Sequence, residues 1–576
     1  MSASKVAKQK NNHIDALFQY IFVGKDMADE IINSVQRIAI IKNLYVVFLS
    51  ICDAKSRAVV VKGRGETVYE AWHNAEQAAD AMIENSGYDV KWVKADIVNC
   101  AKSMKTIELN KELIKLHYRY FFREGIALKS DFDVAFIEAE INANKLINYY
   151  TEKEIINKAL DQETEALSHD RINKYQIARG EKVIESIPEK IISFSTMGFF
   201  CDDRLEVHEL FDVGPDCGRR IIEQVDTKIV SPIIESAYDY LANMIMPNGE
   251  FVYGYYPIYH NEIDNYNILR HAGSVWSLIK LYNGKNDAGL LRKIDSAIEY
   301  LTSRFVIYRD DNTAYVVERK SSELKLGGNA LTVLMLTEYM ECFDTDKYMK
   351  LLKALSNGIL EMQNRKTGEF FHIWSYPSFE PLEEFRTIYY DGEATYALIR
   401  AYALTGYDKY LNGAKQAIDN FIKKDYTRFR DHWVSYALNE ITKYIPDVQY
   451  FEFAAKNVEK NLKRIHTMAR SAQTSFELLT VAWQTLMRAQ EKEISSKYLR
   501  KLDKQALAKT IYYRAQHLLN GYFFPEYAMY MKYPNKVVGA FFVREDNFKI
   551  RIDEIQHYIL GYALYCENYE EIAKKL

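Results

Sequence analysis

The sequence predicts a mainly α-helical protein whose C-terminal part is an (α/α)6 toroid, preceded by a smaller α+β region. Six strongly apolar helices follow one another from about residue 264, each after a polar, aromatic-rich entry. Six amphipathic, lysine-rich helices alternate with them. The connections between the two kinds are short on one side and mostly long on the other. Helical hairpins of this type must cover each other's apolar faces, and six of them can close into a ring.

The apolar helices are predicted to form the inner ring. The first lies in Asp264–Tyr282, where asparagines at the entry can cap a helix and Ile268, Ala272 and Val275 repeat at helical spacing. The other five entries are Gly327–Asn329, Tyr390–Glu393, Asp431–Trp433, Arg470–Gln473 and Arg551–Asp553.

The lysine-rich helices are predicted to form the outer ring, because only one of their faces is apolar. They cover residues 229–245, 287–303, 347–364, 408–424, 449–465 and 498–518. Long connections, such as 303–327, 364–391 and 518–551, gather at the end where the inner helices begin. Loops carry function in such scaffolds, and helix N-termini favour anions, so we expect the site at this end.

The N-terminal part is predicted to be α+β, from residue 13 to residue 211, after a disordered tail at 1–12 and before a linker at 212–228. The order of its predicted helices and strands does not correspond to a familiar fold. The predicted helices cover 13–41, 67–85, 131–146 and segments near 109–117 and 151–168. The predicted strands cover 44–52, 57–62, 90–98 and a short piece within 199–211.

Composition excludes several classes of protein. The net charge of −4 gives no reason to expect nucleic acid or a membrane surface as partner. No apolar run is long enough to span a membrane, and no apolar segment typical of a signal peptide follows the N-terminus. The six cysteines form no Cys-x-x-Cys pair, which favours a cytoplasmic location. No cofactor or metal is expected, and the oligomeric state is left open.

Two inner-helix entries resemble a known superfamily. They are Tyr266-Asn267-Ile268-Leu269-Arg270-His271 and Asp391-Gly392-Glu393-Ala394-Thr395-Tyr396. Residues 229–576 are similar to the (α/α)6-toroid carbohydrate-active proteins, which include six-hairpin glycosidases, N-acylglucosamine 2-epimerases and the catalytic domain of glucuronyl C5-epimerases. The resemblance implies a toroid that acts on an oligo- or polysaccharide.

Three residues are candidate catalytic groups: His271, Glu393 and Glu477. All three lie in the first turns of inner helices, where an acid or base would face the cavity. His271 with Arg270 is equally consistent with a buried, hydrogen-bonded pair that ties neighbouring helices together.

The candidate substrate-binding residues surround the same end of the ring. They are Tyr255, Arg270, Asp391, His432, Trp433, Arg470, Arg551 and His557. Asp391 is also a plausible helix cap, Asp553 with Gln556 fits a capping box, and Trp433 is also consistent with plain core packing. Aromatic loops around Tyr255 and Phe370–Tyr376 suit stacking on sugars, or else an aromatic plug of the ring.

The arginines predict an anionic ligand. Arg270, Arg470 and Arg551 lie at inner-helix N-termini, where a cation is disfavoured, so a bound carboxylate, phosphate or sulfate would explain them. Pairing with protein carboxylates such as Glu393, Asp431 or Glu477 is the alternative. The sequence thus predicts an enzyme acting on an anionic, uronic-acid-bearing glycan by hydrolysis, epimerisation or elimination. The alternative is a non-catalytic assembly factor that binds a glycan or a protein.

Overall fold

The structure is a computed structural model that describes residues 12–24, 44–116, 121–149, 166–282 and 287–576. Residues 1–11 of the tail predicted at 1–12 lie outside the described residues, and Asn12 begins a helix. Most of the helix predicted at 13–41 and most of the one predicted at 151–168 also lie outside the described residues. Within the described residues, no helix is both long and apolar enough to cross a membrane.

An antiparallel sheet dominates the N-terminal part. Its helices are α1 (Asn12–Phe18, continued by a π-helical turn, Gln19–Val23), α2 (Val68–Ser86), α3 (Thr106–Lys115), α4 (Glu138–Ala143) and α5 (His169–Ala178). Its strands are β1 (Tyr45–Cys52), β2 (Val59–Gly65), β3 (Trp92–Lys105), β4 (Gly125–Ala127), β5 (Ala135–Phe136), β6 (Lys190–Cys201) and β7 (Val207–Glu209). The strand order is β2-β1-β3-β6-β4-β5, and β7 pairs with β6.

The central strand β1 is apolar along its whole length because both of its faces are buried. Val47, Leu49 and Ile51 pack with the residues of α1 and α2. Val46 and Phe48, which point the other way, belong to the same hydrophobic core as the helical ring. A strand covered on both sides reads as a continuous apolar run instead of an alternating one.

The C-terminal part is a double ring of helices. The outer helices are α6 (Thr227–Asn243), α8 (Ala288–Phe305), α10 (Met349–Glu361), α12 (Asp408–Lys423), α14 (Val448–Glu459) and α18 (Lys504–Leu518). The inner helices are α7 (Ile268–Lys280), α9 (Leu326–Cys342), α11 (Tyr390–Thr405), α13 (His432–Tyr444), α16 (Gln473–Glu491) and α20 (Ile552–Ala573). Each inner helix packs against the next, and α20 packs against α7, so the ring closes.

Short strands occupy the long connections that precede inner helices. Strands β8 (Gly254–Tyr256), β9 (Asn261–Glu262) and β15 (Ile550–Arg551) form one small sheet, in which β15 pairs with β8. Strands β10 (Val306–Asp310), β11 (Thr313–Glu318), β12 (Glu323–Lys325), β13 (Ile373–Ser375) and β14 (Pro381–Glu383) form a second sheet in sequential order. Three short helices, α15 (Leu462–His466), α17 (Lys497–Lys501) and α19 (Pro525–Ala528), lie in other connections.

The predicted fold class is confirmed, with corrections in the N-terminal part. The helix predicted at 131–146 is wrong, because Phe132 adopts φ 59° and the segment divides into a turn, β5 and α4. The long strand β6, which lies between β3 and β4 in the sheet, was not predicted. The division at 212–228 stays a prediction. Arg219 and Val225 within it are fully buried, and the sheet and the ring share one core.

A buried ion pair joins the segment before α6 to the connection between α18 and α20. The Arg220 guanidinium donates to both carboxylate oxygens of Glu526, at 2.9 Å and 2.7 Å, and the Glu526 side chain is fully buried. Removing one partner leaves the other charge buried and unpaired.

We therefore expect Glu526→Ala to lower the free energy of unfolding by about 3–5 kcal/mol, as measured by urea denaturation. The matched control is Asp170→Ala, which breaks the exposed pair between Lys174 and Asp170. That change should cost less than about 1 kcal/mol. Equal effects of the two substitutions would contradict the structural role of the buried pair.

Candidate functional site

A cavity of about 470 Å³ lies at the N-terminal ends of the inner helices. All six inner helices contribute to its wall. The contributing residues include Asn267 and Arg270 before and in α7, Leu331 in α9, Tyr390 and Glu393 in α11, His432 and Trp433 in α13, Gln473 in α16, and Asp553 and His557 in α20.

Aromatic side chains close the ring axis on one side of this cavity. Trp276 of α7 packs against Trp433 of α13, with ring centroids 5.5 Å apart. Tyr396 of α11 stacks on Tyr436 of α13 at 5.5 Å. Because Trp433 also lines the cavity, this buried cluster forms its floor. The ring therefore has a plug of aromatic residues and a separate open pocket.

Helix caps position the polar side chains at the rim. The Asn267 side chain accepts a hydrogen bond from the backbone N–H of Leu269 (2.9 Å), and Asp431 accepts one from Trp433 (2.8 Å). Asx residues before an apolar run are favoured caps because they satisfy the free N–H groups of the first turn. Asp431 thereby fixes His432 as the first residue of α13.

Two histidines from different helices meet in the cavity wall. The His432 and His557 rings are 5.1 Å apart and nearly perpendicular. His432 is buried, and neither of its ring nitrogens has a hydrogen-bond partner among the described residues. Burial, together with the charge of His557, lowers the pKa of His432 well below its usual value. His432 is therefore neutral at neutral pH.

His557 has the opposite electrostatic environment. Its Nδ1 lies 2.6 Å from Glu477 Oε1, and the other oxygen of Glu477 accepts a hydrogen bond from Tyr436 (2.7 Å). Burial alone would lower the pKa of His557, but the Glu477 carboxylate outweighs it and raises that pKa. The Glu477 carboxylate is fully buried behind His557.

Glu393 presents a buried carboxyl group to the same cavity. Its Oε2 has no hydrogen-bond partner among the described residues. Burial raises the pKa of Glu393 to about 8, against a smaller opposing effect of His557. A Cβ atom added at Gly327 of α9 would collide with this Oε2, so the glycine makes room for the carboxyl group.

Ion pairs with protein carboxylates involve two of the three predicted arginines. Arg270 Nε lies 2.9 Å from Asp553 Oδ2. Arg551 Nη2 bonds to the same oxygen (2.8 Å) and to Glu554 Oε1 (2.9 Å). Arg270 and Arg551 therefore pair with protein carboxylates, as the alternative prediction has it. The partners are Asp553 and Glu554 instead of Glu393, Asp431 or Glu477. Arg470 has no ion pair among the residues that the structure describes.

His432, Glu477 and His557 could also hold a metal ion. One ligand atom from each lies within 4.8 Å of the others. Two histidines and a carboxylate suit zinc or iron. The hydrogen bond between Glu477 and His557, however, occupies two of the atoms that would have to turn toward the metal. A second group, Asp202, Glu206 and His208, lies in the connection between β6 and β7 and in β7 itself.

The structure brings most of the predicted site residues together. The cavity is lined by Arg270, Glu393, His432, Trp433, Arg470, Arg551 and His557, and Glu477 supports His557 from behind. These residues lie on five inner helices or their entries, so only closure of the ring joins them.

Three predicted site residues lie elsewhere. His271 faces α8, where its ring nitrogens are bonded to Tyr266 (2.7 Å) and to the carbonyl of Ala297 (2.8 Å). The structural interpretation is therefore right for His271 but not for Arg270, which lines the cavity. Tyr255 is buried and donates to the carbonyl of Lys536 (2.8 Å).

Asp391 is the third displaced residue, and it does not cap its helix, because α11 already begins at Tyr390. It bonds to His372 (3.2 Å) and Tyr426 (2.9 Å) beside a neighbouring cavity of about 330 Å³. The predicted capping box of Asp553 is also wrong, because its carboxylate pairs with arginines instead.

Sequence reasoning missed several residues of the wall. Tyr389 packs edge-on against His432, with centroids 5.2 Å apart, and Glu545 accepts a hydrogen bond from the Ser471 backbone (3.1 Å). Tyr389 directly precedes a recognised helix entry, which was the available signal. Glu545 comes from the long connection 518–551, whose sequence has no periodicity that would place it.

Comparison of the sequence with protein families and with curated proteins finds no match. Solved structures with similar folds do exist. A D-mannose isomerase is 13% identical, with a TM-score of 0.46, over 61% of this chain and 98% of that chain. A cellobiose 2-epimerase from Spirochaeta thermophila is 11% identical, with a TM-score of 0.44, over 60% and 98% of the two chains.

A GH76 α-mannanase from Bacteroides thetaiotaomicron is 9% identical, with a TM-score of 0.41, over 60% of this chain and 97% of its own. Similarity this low carries no chemistry from one protein to another, so the function has to be argued from the residues of this cavity.

Proposed function

We propose that the protein is a carbohydrate-active enzyme that transfers a proton at a sugar carbon next to a carbonyl or carboxylate group, as in epimerisation or isomerisation. The observation that carries this proposal is the pair His432 and His557. Their rings share one cavity wall, yet their surroundings shift their pKa values in opposite directions. Titratable neighbours whose pKa values are pushed apart suit the roles of base and acid.

His432 is suited to be the base. A neutral imidazole carries one nitrogen with a free lone pair and one N–H group, and neither is engaged by a described side chain. His557 is suited to be the acid, because Glu477 favours its protonated form. A proton removed by one ring and returned by the other, at the same or the adjacent carbon, gives an epimer or an isomer.

Glu393 supports the reaction as a hydrogen-bond donor. A carboxyl group with a pKa near 8 is mostly protonated at neutral pH, and its Oε2 is unpartnered. A neutral carboxylic acid can stabilise the negative charge that develops on a carbonyl oxygen when the neighbouring carbon loses its proton.

The cavity suits a saccharide in size and lining. Small-ligand pockets typically enclose roughly 300–1,000 Å³, and this one has about 470 Å³. Tyr389, Tyr390 and Trp433 offer aromatic faces, and Gln473, Gln556 and Asn267 offer polar groups for hydroxyls. A protein that only binds a glycan would not need two neighbouring histidines whose pKa values are shifted in opposite directions.

Hydrolysis is less well supported than proton transfer. Glycosidases generally need two available carboxyl groups on opposite sides of the bond. Glu393 is available, but Asp553 and Glu554 are held by Arg551, and Glu545 is bonded to Ser471. As part of the same proposal we retain a cytoplasmic location, which suits the six free cysteines.

The first test measures exchange of substrate C–H protons with deuterium in D2O by NMR, using a panel of neutral and acidic mono- and disaccharides. We expect His432→Asn and His557→Asn each to slow exchange by about 10²- to 10⁴-fold, the usual contribution of an acid–base group. His73→Asn, at an exposed position in the N-terminal part, is the matched control. Exchange that persists in both variants would refute the assignment. Exchange that chelators abolish in the wild type would assign the trio to a metal.

The second test concerns the protonation of Glu393. Its folded-state pKa of about 8 lies above the ordinary value of 4.5, so the folded state holds this proton more tightly than the unfolded state. The stability of the wild type should therefore fall as pH rises from about 4.5 to about 8.

Glu393→Gln removes this dependence. Relative to the wild type, the variant should gain stability across that range, reaching a few kcal/mol at most, as measured by denaturation at several pH values. Glu66→Gln, at an exposed glutamate, is the control and should leave the pH profile unchanged. A parallel profile for Glu393→Gln and the wild type would mean that Glu393 is ionised in the folded protein.

A further inference from the structure

Three arginines, one of which lines the cavity, lie in the two connections that lead into α13 and α16. Arg470 lines the cavity just before α16, Arg430 directly precedes the cap of α13, and Arg464 lies in α15. We call these three residues the rim arginines. None of them forms an ion pair with a carboxylate among the described residues, in contrast to Arg270 and Arg551.

The segments that carry the rim arginines are held together by hydrogen bonds. The Asn461 side chain donates to the backbone carbonyl of Thr427 (3.1 Å), which joins the start of α15 to the turn that ends at Arg430. Electrostatic coupling reports the same proximity: burial lowers the pKa of Arg430, and the charges of Arg464 and Arg470 lower it further.

Hydrogen bonds from Arg514 hold the backbone of the loop that carries Arg470. Arg514 is fully buried and donates to the backbone carbonyls of Met468 (2.6 Å) and Arg470 (2.8 Å). One non-glycine residue in each of these two connections takes a left-handed backbone conformation, Arg430 with φ 55° and Ala472 with φ 51°. Such conformations cost energy and occur preferentially at functional sites.

The charge distribution around the mouth is therefore uneven. On the α20 side, Asp553 and Glu554 neutralise Arg270 and Arg551. On the α13 and α16 side, the rim arginines repel one another. Arg470 also interacts electrostatically with Glu545, but the Glu545 carboxylate is half-buried and accepts a hydrogen bond from the backbone N–H of Ser471. Three unpaired guanidinium groups on a fixed rim form a site for an anion, which they can bind in bidentate geometry.

We infer that the rim arginines bind the acidic group of the substrate, and that the substrate is therefore an acidic saccharide whose carboxylate or sulfate lies at the α13 and α16 side of the mouth. This inference rests on the proposed function for the identity of the ligand as a sugar. It places the anion on Arg430, Arg464 and Arg470, away from the paired Arg270 and Arg551.

The test is calorimetric titration of the full-length protein with three disaccharides of one linkage: a hexuronate form, a sulfated form and the uncharged form. We expect one acidic form to bind, and Arg470→Gln and Arg464→Gln each to raise its dissociation constant by about tenfold or more, as for loss of a charge-assisted hydrogen bond. Arg470→Lys should recover part of the affinity. Which acidic form binds distinguishes a carboxylate from a sulfate ester.

Arg500→Gln is the matched control, because Arg500 is exposed in α17, beyond the C-terminal end of α16. It should leave all dissociation constants unchanged. The inference is overturned if neither acidic form binds, or if the uncharged form binds equally well and loses as much affinity in the Arg470→Gln variant. Arg-dependent binding without deuterium exchange would preserve the rim site and refute the proposed function. Deuterium exchange on the uncharged form alone would support the proposed function and refute the rim site.

Discussion

Closure of the inner ring is the constraint on which the rest of this structure depends. The last inner helix, α20, must pack against the first, α7, although about 270 residues lie between them. Two further contacts reinforce this seam. Strand β15, directly before α20, pairs with β8 in the connection that leads to α7, and Arg270 of α7 bonds to Asp553 of α20 (2.9 Å). A hydrophobic seam alone would tolerate sliding, whereas paired strands and a directed ion pair fix the register of the two helix ends.

Once the ring is closed, the helix N-termini bring polar groups together, and several of these groups are buried. Burial then acts differently on each group, because a neutral form is favoured unless a partner stabilises the charge. His432 and Glu393 lack hydrogen-bond partners for their buried atoms, and burial favours their neutral forms, while Glu477 raises the pKa of His557 and favours its charged form. Small residues make this possible: besides Gly327, the absence of a side chain at Gly392 leaves room for Asp431.

The helical ring was predictable because each of its helices carries its own signal. Apolar spacing, Asx caps such as Asn267 and Asp431, and the asymmetry of loop lengths are all local, and they predict the end of the ring at which the cavity lies. Local signals do not determine which of two adjacent side chains on a helix faces the cavity. Arg270 and His271 are about 100° apart around one helix, and only the closed ring determines which of them faces the cavity. Glu545 and Arg430 come from connections whose position depends on contacts that no periodicity encodes.

The distribution of unsatisfied groups supports a functional interpretation of this end of the ring. Buried polar atoms without partners cost about 1–3 kcal/mol each, so a protein selected for stability alone would replace or pair them. In the described part of the chain, several of them lie together here: both nitrogens of His432, Oε2 of Glu393 and Oδ2 of Asp431. The adjacent rim arginines add uncompensated charge of one sign. The proposed acidic saccharide would supply hydroxyl groups to the first set and an anionic group to the second, so the features that weaken the free protein are the ones that this substrate would satisfy.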